Sequence, residues 1–143
     1  MYRLNEAAPR FWGMLFVMLA VVGCGARATH SPVEGVVTID GKPVSQGVRV
    51  VFTPEAEEAE PCAGVTNDKG RYVMYFKPGM KGLPPGKYTV SIPSPADDTS
   101  GTLIMPPELA GVTIPERYRP GHSTLVCDVP RGGTVYDIDL QSR

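Results

Sequence analysis

Few residues in this chain could act as nucleophiles, acids or metal ligands, and their spacing does not favour any of these roles. There are three cysteines, Cys24, Cys62 and Cys127, and two histidines, His30 and His122. A zinc site draws on three or four clustered His, Cys or acidic ligands, and no HxxE or HExxH spacing occurs. A Ser-His-Asp triad would need His122 as its base, yet no serine sits in a GxSxG turn. Asp97 and Asp98 adjoin in a loop-like stretch, and Asp137 and Asp139 alternate along a strand. The second pair is about 7 Å apart by strand rise. That would serve a glycosidase only inside a cleft that raises one pKa, and the alternation places both on an exposed sheet face instead. No glycine-rich phosphate loop opens a helix. The sequence therefore predicts no catalytic residue, no bound metal and no cofactor.

The cysteines have other uses. Cys24 ends an apolar run, Phe11 to Ala26, whose sixteen uncharged residues lie between Arg10 and Arg27. A membrane-spanning helix needs about 20 apolar residues, so the run is short for a span. Arg3 and Arg10 ahead of it and small residues at its end give the pattern of a secretory signal. Val21-Val22-Gly23-Cys24 resembles the bacterial lipobox, in which a cysteine thiol takes a diacylglycerol and the chain is cut just before it. An uncleaved short anchor and a buried core helix are the alternatives. The lipoprotein reading divides the chain into a signal peptide, 1–23, a tether, 24–32, and one domain, 33–143. It places the protein outside the cytoplasm, held to a bacterial membrane by lipid at Cys24 and facing the periplasm or the cell surface. Export would permit a disulfide between Cys62 and Cys127, worth about 4 kcal/mol in the chain-entropy model. Strand phase argues against it: with Ala63 and Val65 inward, Cys62 points out while Cys127 points in. The other outcome is an inert buried thiol at Cys127.

The elements that position these residues are strands. Sixteen glycines and 15 prolines cut the chain into short pieces, which favours an all-β domain over long helices. Apolar residues recur with period two in VEGVVTI, with Val33, Gly35, Val37 and Ile39 on one face. The same alternation groups Val48, Val50 and Phe52; Tyr72, Met74 and Phe76; Tyr88, Val90 and Ile92. Near the C-terminus it groups Leu125, Cys127 and Val129, then Tyr136, Ile138 and Leu140, with a hairpin expected at Gly132-Gly133. Asp40-Gly41 reads as a tight turn, and the acidic block Glu55 to Glu60 as a solvated loop. About seven strands spaced by turns indicate a β-sandwich. Pro93 to Gly121, with six prolines in 29 residues, reads as a long irregular loop of the kind that is often functional. Net charge is −1 with no basic cluster, so nucleic acid is not an expected partner.

The segments VEGVVTIDGKPVSQGVRVVFTP, GVTNDKGRYVM, GLPPGKYTVSIP, IPERYRPGHSTLVCDV and VYDIDL, in that order, resemble planctomycete lipoproteins with carboxypeptidase regulatory-like, or transthyretin-like, domains. The resemblance covers nearly all of the mature chain. It implies a transthyretin (prealbumin)-like Greek-key sandwich and no catalytic residues, because the regulatory-like module accompanies a peptidase without being one. Position 127 departs from the family pattern, carrying Cys127 where an aliphatic residue is usual. Fold is a weak guide to function. The expected role is a structural, adhesion or binding module of the envelope, in contact with the membrane through its lipid and with an envelope protein or glycan. Leu103, Ile104, Met105 and Tyr118 are candidate contacts, unless Ile114 and Tyr118 instead close the open end of the sandwich as a lid. A carbohydrate-binding module is the alternative. Trp12 would leave with the signal peptide, so Tyr75 is the best outward aromatic for stacking on a sugar. An enzyme is the remaining class.

Overall fold

The structure, a computed structural model, describes residues 30–56, 59–94 and 113–143. Its strands are β1 (Val33–Ile39), β2 (Lys42–Pro43), β3 (Arg49–Pro54), β4 (Cys62–Val65), β5 (Arg71–Val73) and β6 (Tyr75–Lys77). They continue with β7 (Met80–Lys81), β8 (Gly86–Ser91), β9 (Leu125–Val129), β10 (Thr134–Val135) and β11 (Ile138–Leu140). One sheet centres on β1, with β10 and β11 parallel along one side and β5 and β2 antiparallel along the other. The second sheet runs β7-β6-β4-β3-β8-β9, antiparallel throughout.

The period-two alternation decides what lies between the sheets. Val33, Val37, Tyr72, Ile138 and Leu140 from the first sheet meet Val50, Phe52, Val90 and Val129 from the second, all buried. Phe52 is the hub: its ring lies 6.4, 6.0 and 6.1 Å from those of Tyr72, Tyr88 and Tyr136, within the range of favourable aromatic pairing. The protein is an all-β sandwich. Asp40 and Gly41 turn β1 into β2 with φ of 49° and 77°, the paired positive angles of a type I′ hairpin.

Four features depart from the sequence expectations. Gly133, with φ of 86°, does turn the chain, but β10 crosses to the other sheet and pairs in parallel with β1, so no β9–β10 hairpin forms. The free side of β1 completes a sheet there, and alternation alone does not name a strand's partner. The Tyr72–Phe76 run is not one strand. It changes sheets at Met74, whose N–H donates to Val33 O and whose carbonyl accepts from Gly82 N. The tether ends early: Ser31 exchanges two backbone hydrogen bonds with Leu83, at 2.7 and 2.8 Å, and is buried. His30 then stacks on Phe76 at 4.8 Å.

The fourth departure concerns Cys62. It faces inward with Gly64, while Val65 is 59% exposed, the reverse of the expected phase. The reason is room. A Cβ at position 64 would lie 2.6 Å from Val73 O and 3.0 Å from Met74 Sδ, so only glycine fits where the chain changes sheets. Both thiols are free. Inward phase does not make a bridge possible, because β3 and β8 lie between β4 and β9. Three strand spacings amount to about 14 Å, twice the roughly 7 Å limit for the Cα atoms of a disulfide.

Candidate functional site

The carboxylate pair near the C-terminus is committed to holding strands. The break between β10 and β11 interrupts the ladder on that side of β1, and Asp137 Oδ1 accepts the Val36 N–H at 2.9 Å. Asp139 Oδ1 accepts from Thr38 Oγ1 at 2.7 Å and from Gly41 N at 3.4 Å, while its Oδ2 accepts from Gln141 Nε2 at 2.8 Å. Tyr72 hydroxyl donates to the Tyr136 carbonyl, and burial holds its phenol far above the usual range. His122 is 60% exposed, with Glu116 3.7 Å away, and the neighbouring Ser123 hydroxyl donates to Val90 O. Among the described residues no nucleophile–base–carboxylate arrangement forms around it. Among the described residues no three His, Cys, Asp or Glu side chains cluster as metal ligands.

Cys24, Leu103, Ile104 and Met105 lie outside the described residues. Tyr118 lies within them. It belongs to a 3-10 turn, Glu116–Tyr118, and packs half-buried against the core beside fully buried Ile114. Its carbonyl accepts the Ile92 N–H at 2.8 Å and its hydroxyl accepts Gln141 N at 3.1 Å. The Arg117 guanidinium lies 5.0 Å from its ring and donates to the carbonyls of Gln141 and Arg143.

Among the described residues two surfaces stand out. The first is the outer face of the six-stranded sheet, where the register sets Tyr75 beside Ala63 and Ala63 beside Val51. Thr53, Thr89 and Val126 form the next row. Tyr75 is 37% exposed, as the alternation predicts, and Val126 is 48% exposed.

The second is a cleft of about 210 Å³ at the end of the sandwich. Pro54, Cys62, Phe76, Pro84 and Tyr88 form its apolar surface, and Glu55, Glu60 and Lys87 lie among its lining residues. Its interior polar groups are already used: Tyr88 hydroxyl donates to Pro84 O at 2.7 Å, and Cys62 Sγ lies 3.7 Å from Glu60 O. Burial, then the nearby Glu60 carboxylate, pushes the Cys62 thiol up, which makes it a poor nucleophile. Sequence reasoning did not find this cleft, since its walls come from four separate segments. The one local signal is Pro84-Pro85, a rigid wall ahead of β8.

No family model and no curated protein matches this chain. Among solved structures, the TIE protein of Bacillus anthracis is similar at a TM-score of 0.43 and 17% identity over 79% of this chain. The major pilin subunit BcpA of Bacillus cereus is similar at a TM-score of 0.45 and 10% identity, also over 79%. This chain spans 16% and 30% of the lengths of those two proteins.

Proposed function

We propose that the chain is an exported, lipid-anchored β-sandwich of a bacterial envelope that works by contact and not by catalysis, as a structural, adhesion or binding module. The observation that carries this reading is how the reactive groups are spent. Asp137 and Asp139 hold β1 to its neighbours, Tyr72 ties β5 to the Tyr136 carbonyl, and Cys62 and Cys127 are buried. The six-stranded sheet meanwhile turns an accessible face outward through Val65, Tyr75 and Val126. The export and lipid parts rest on the leader and on Val21-Val22-Gly23-Cys24, as does kinship with the regulatory-like lipoproteins on the ordered segments quoted above.

Intact mass of the membrane-extracted protein tests the anchor: the wild type carries acyl chains and Cys24→Ala does not. An unacylated wild type ends that part of the proposal. A photo-crosslinking residue placed at Val126 tests the contact face, by forming a discrete adduct in the intact envelope that is missing when it replaces buried Val90. A carbohydrate-binding reading is favoured only by the exposure of Tyr75 on the outer face of the six-stranded sheet. Glycan binding lost in Tyr75→Ala would support it, and silence across a glycan array would dismiss it.

A further inference from the structure

The chain enters and leaves the first sheet along neighbouring parallel strands, and this decides how it meets a pull. β1 begins at Val33, and β11 ends at Leu140. Because β10 and β11 run parallel to β1, the start of β1 and the end of β11 lie at opposite ends of the sheet. Tension between residues 30 and 143 therefore slides β1 lengthwise past β10 and β11. Sliding strains every bond along the seam together, whereas a pull across the strands opens them in succession. Single hydrogen bonds are weak, so the direction of the load decides how strongly the seam resists.

The seam is laced along its whole length. At the entry, Thr134 N–H donates to Pro32 O at 2.9 Å and Tyr136 N–H to Glu34 O at 2.8 Å. The Asp137 and Asp139 carboxylates bridge the middle, taking Val36 N–H and Thr38 Oγ1. At the exit, Asp40 N–H donates to Leu140 O at 2.8 Å, and Ser142 N–H to Asp40 Oδ1 at 3.0 Å. The entry is also boxed in by backbone. A Cβ at Gly82 would lie 2.5 Å from Ser31 O, and one at Gly133 would lie 2.5 Å from Pro32 O. We propose that this seam is a shear clamp, and that the sandwich carries tension between the segment leading into β1 and the residues following β11. The inference goes beyond the contact reading and stands whether or not the chain is lipidated.

The test is single-molecule force spectroscopy of the full chain in detergent, held through azide-bearing residues. Handles at positions 30 and 143 pull in the sliding direction, and handles at positions 30 and 131 pull in the peeling direction. Arg131 is exposed and lies just ahead of Thr134, at the same end of the seam as Val33. At equal loading rate, the sliding pull should need about threefold more force, because the six bonds named above share it while peeling meets them in ones and twos. Forced unfolding reports the barrier along the pulled direction, so equal forces would describe a sandwich that is stable without being a clamp. Asp137→Ala combined with Asp139→Ala should lower the sliding force and leave the peeling force unchanged, which also checks that the variant folds. If it does not fold, the wild-type comparison decides alone. Equal forces in the two directions, release of β10 and β11 in a separate low-force step under the sliding pull, or a folded double variant as strong as the wild type would overturn the proposal.

Discussion

Gly35 is the position where one methyl group should do the most damage. It lies in the middle of β1, opposite the break between β10 and β11, and its backbone is extended with no special φ. A Cβ there would sit 2.0 Å from Tyr136 O, 2.6 Å from Tyr136 C and 3.1 Å from Tyr72 Cε1. The first two are backbone atoms and cannot rotate away, so the Tyr136 segment must retreat by more than an ångström. That retreat breaks the Tyr136 N–H bond to Glu34 O, at 2.8 Å, and the Tyr72 hydroxyl bond to Tyr136 O. It also loosens the Asp137 bond to Val36 N and the edge-on contact of Phe52 with Tyr136. Three hydrogen bonds at about 1 kcal/mol each, with some overpacking strain, put Gly35→Ala at about 3 kcal/mol or more. With an m-value near 1.5 kcal/mol/M, the urea midpoint should fall by about 2 M. Gly132→Ala is the control, since its Cβ would meet nothing within 4 Å and its φ is ordinary; it should leave the midpoint unchanged. If the two variants melt together, β10 and β11 do not lie against β1 as described, and the account of Asp137 and Asp139 falls with them.

Other outcomes follow from the same contacts. Tyr72→Phe leaves the Tyr136 carbonyl without its buried donor and should cost about 1–2 kcal/mol by urea unfolding, so an unchanged midpoint would contradict that bond. Ser31 hydroxyl is buried without a hydrogen-bond partner; Ser31→Ala should raise the thermal midpoint slightly, and a fall would show that the docked tether is misread. Both Cys62 and Cys127 should resist a thiol reagent in the folded chain and react in denaturant without reductant, two equivalents apart from Cys24. The side-chain and then the backbone hydrogen bond from Ser142 hold Asp40 below its ordinary 3.8. Its contribution is therefore present above that value and lost as pH falls through the lower folded-state pKa, and Ser142 amide exchange should quicken only at acid pH. At the alkaline end, burial raises Cys62 and Cys127 above 9.0 and Tyr88 and Tyr136 above 10.0. The unfolded chain ionises first, so stability should hold below about pH 9 and decline above it; a flat profile to pH 11 would refute this.

What the sequence shows and what it hides divide along physical lines. Period-two alternation reports which face of a strand meets apolar neighbours, and it located Val33, Val37, Val50, Phe52, Tyr88, Val90, Cys127 and Val129 in the core. It reports nothing about which strand lies alongside. Thus Gly132-Gly133 suggested a hairpin, and the chain instead crosses to run parallel with β1. The phase of β4 was misread for a related reason: Ala63 and Val65 are the more apolar pair, but the inward position opposite Met74 has room only for Gly64. Close approach of two backbones leaves no hydrophobic signature, only a glycine.

The candidate sites divide in the same way. Asp137 and Asp139 were visible as a carboxylate pair, and their separation was consistent with either chemistry or display. Apart from the local contact with Gln141, their occupation by Val36, Thr38 and Gly41 bridges about a hundred residues of sequence, beyond the reach of any local pattern. The cleft is more distant still from a linear reading, because Glu60, Phe76, Pro84 and Tyr88 meet only when β3, β4, β6 and β8 are in register. Its two carboxylates were read as part of a solvated acidic loop, and exposed they are. The structure adds an apolar wall behind them, built from Pro54, Phe76, Pro84 and Tyr88.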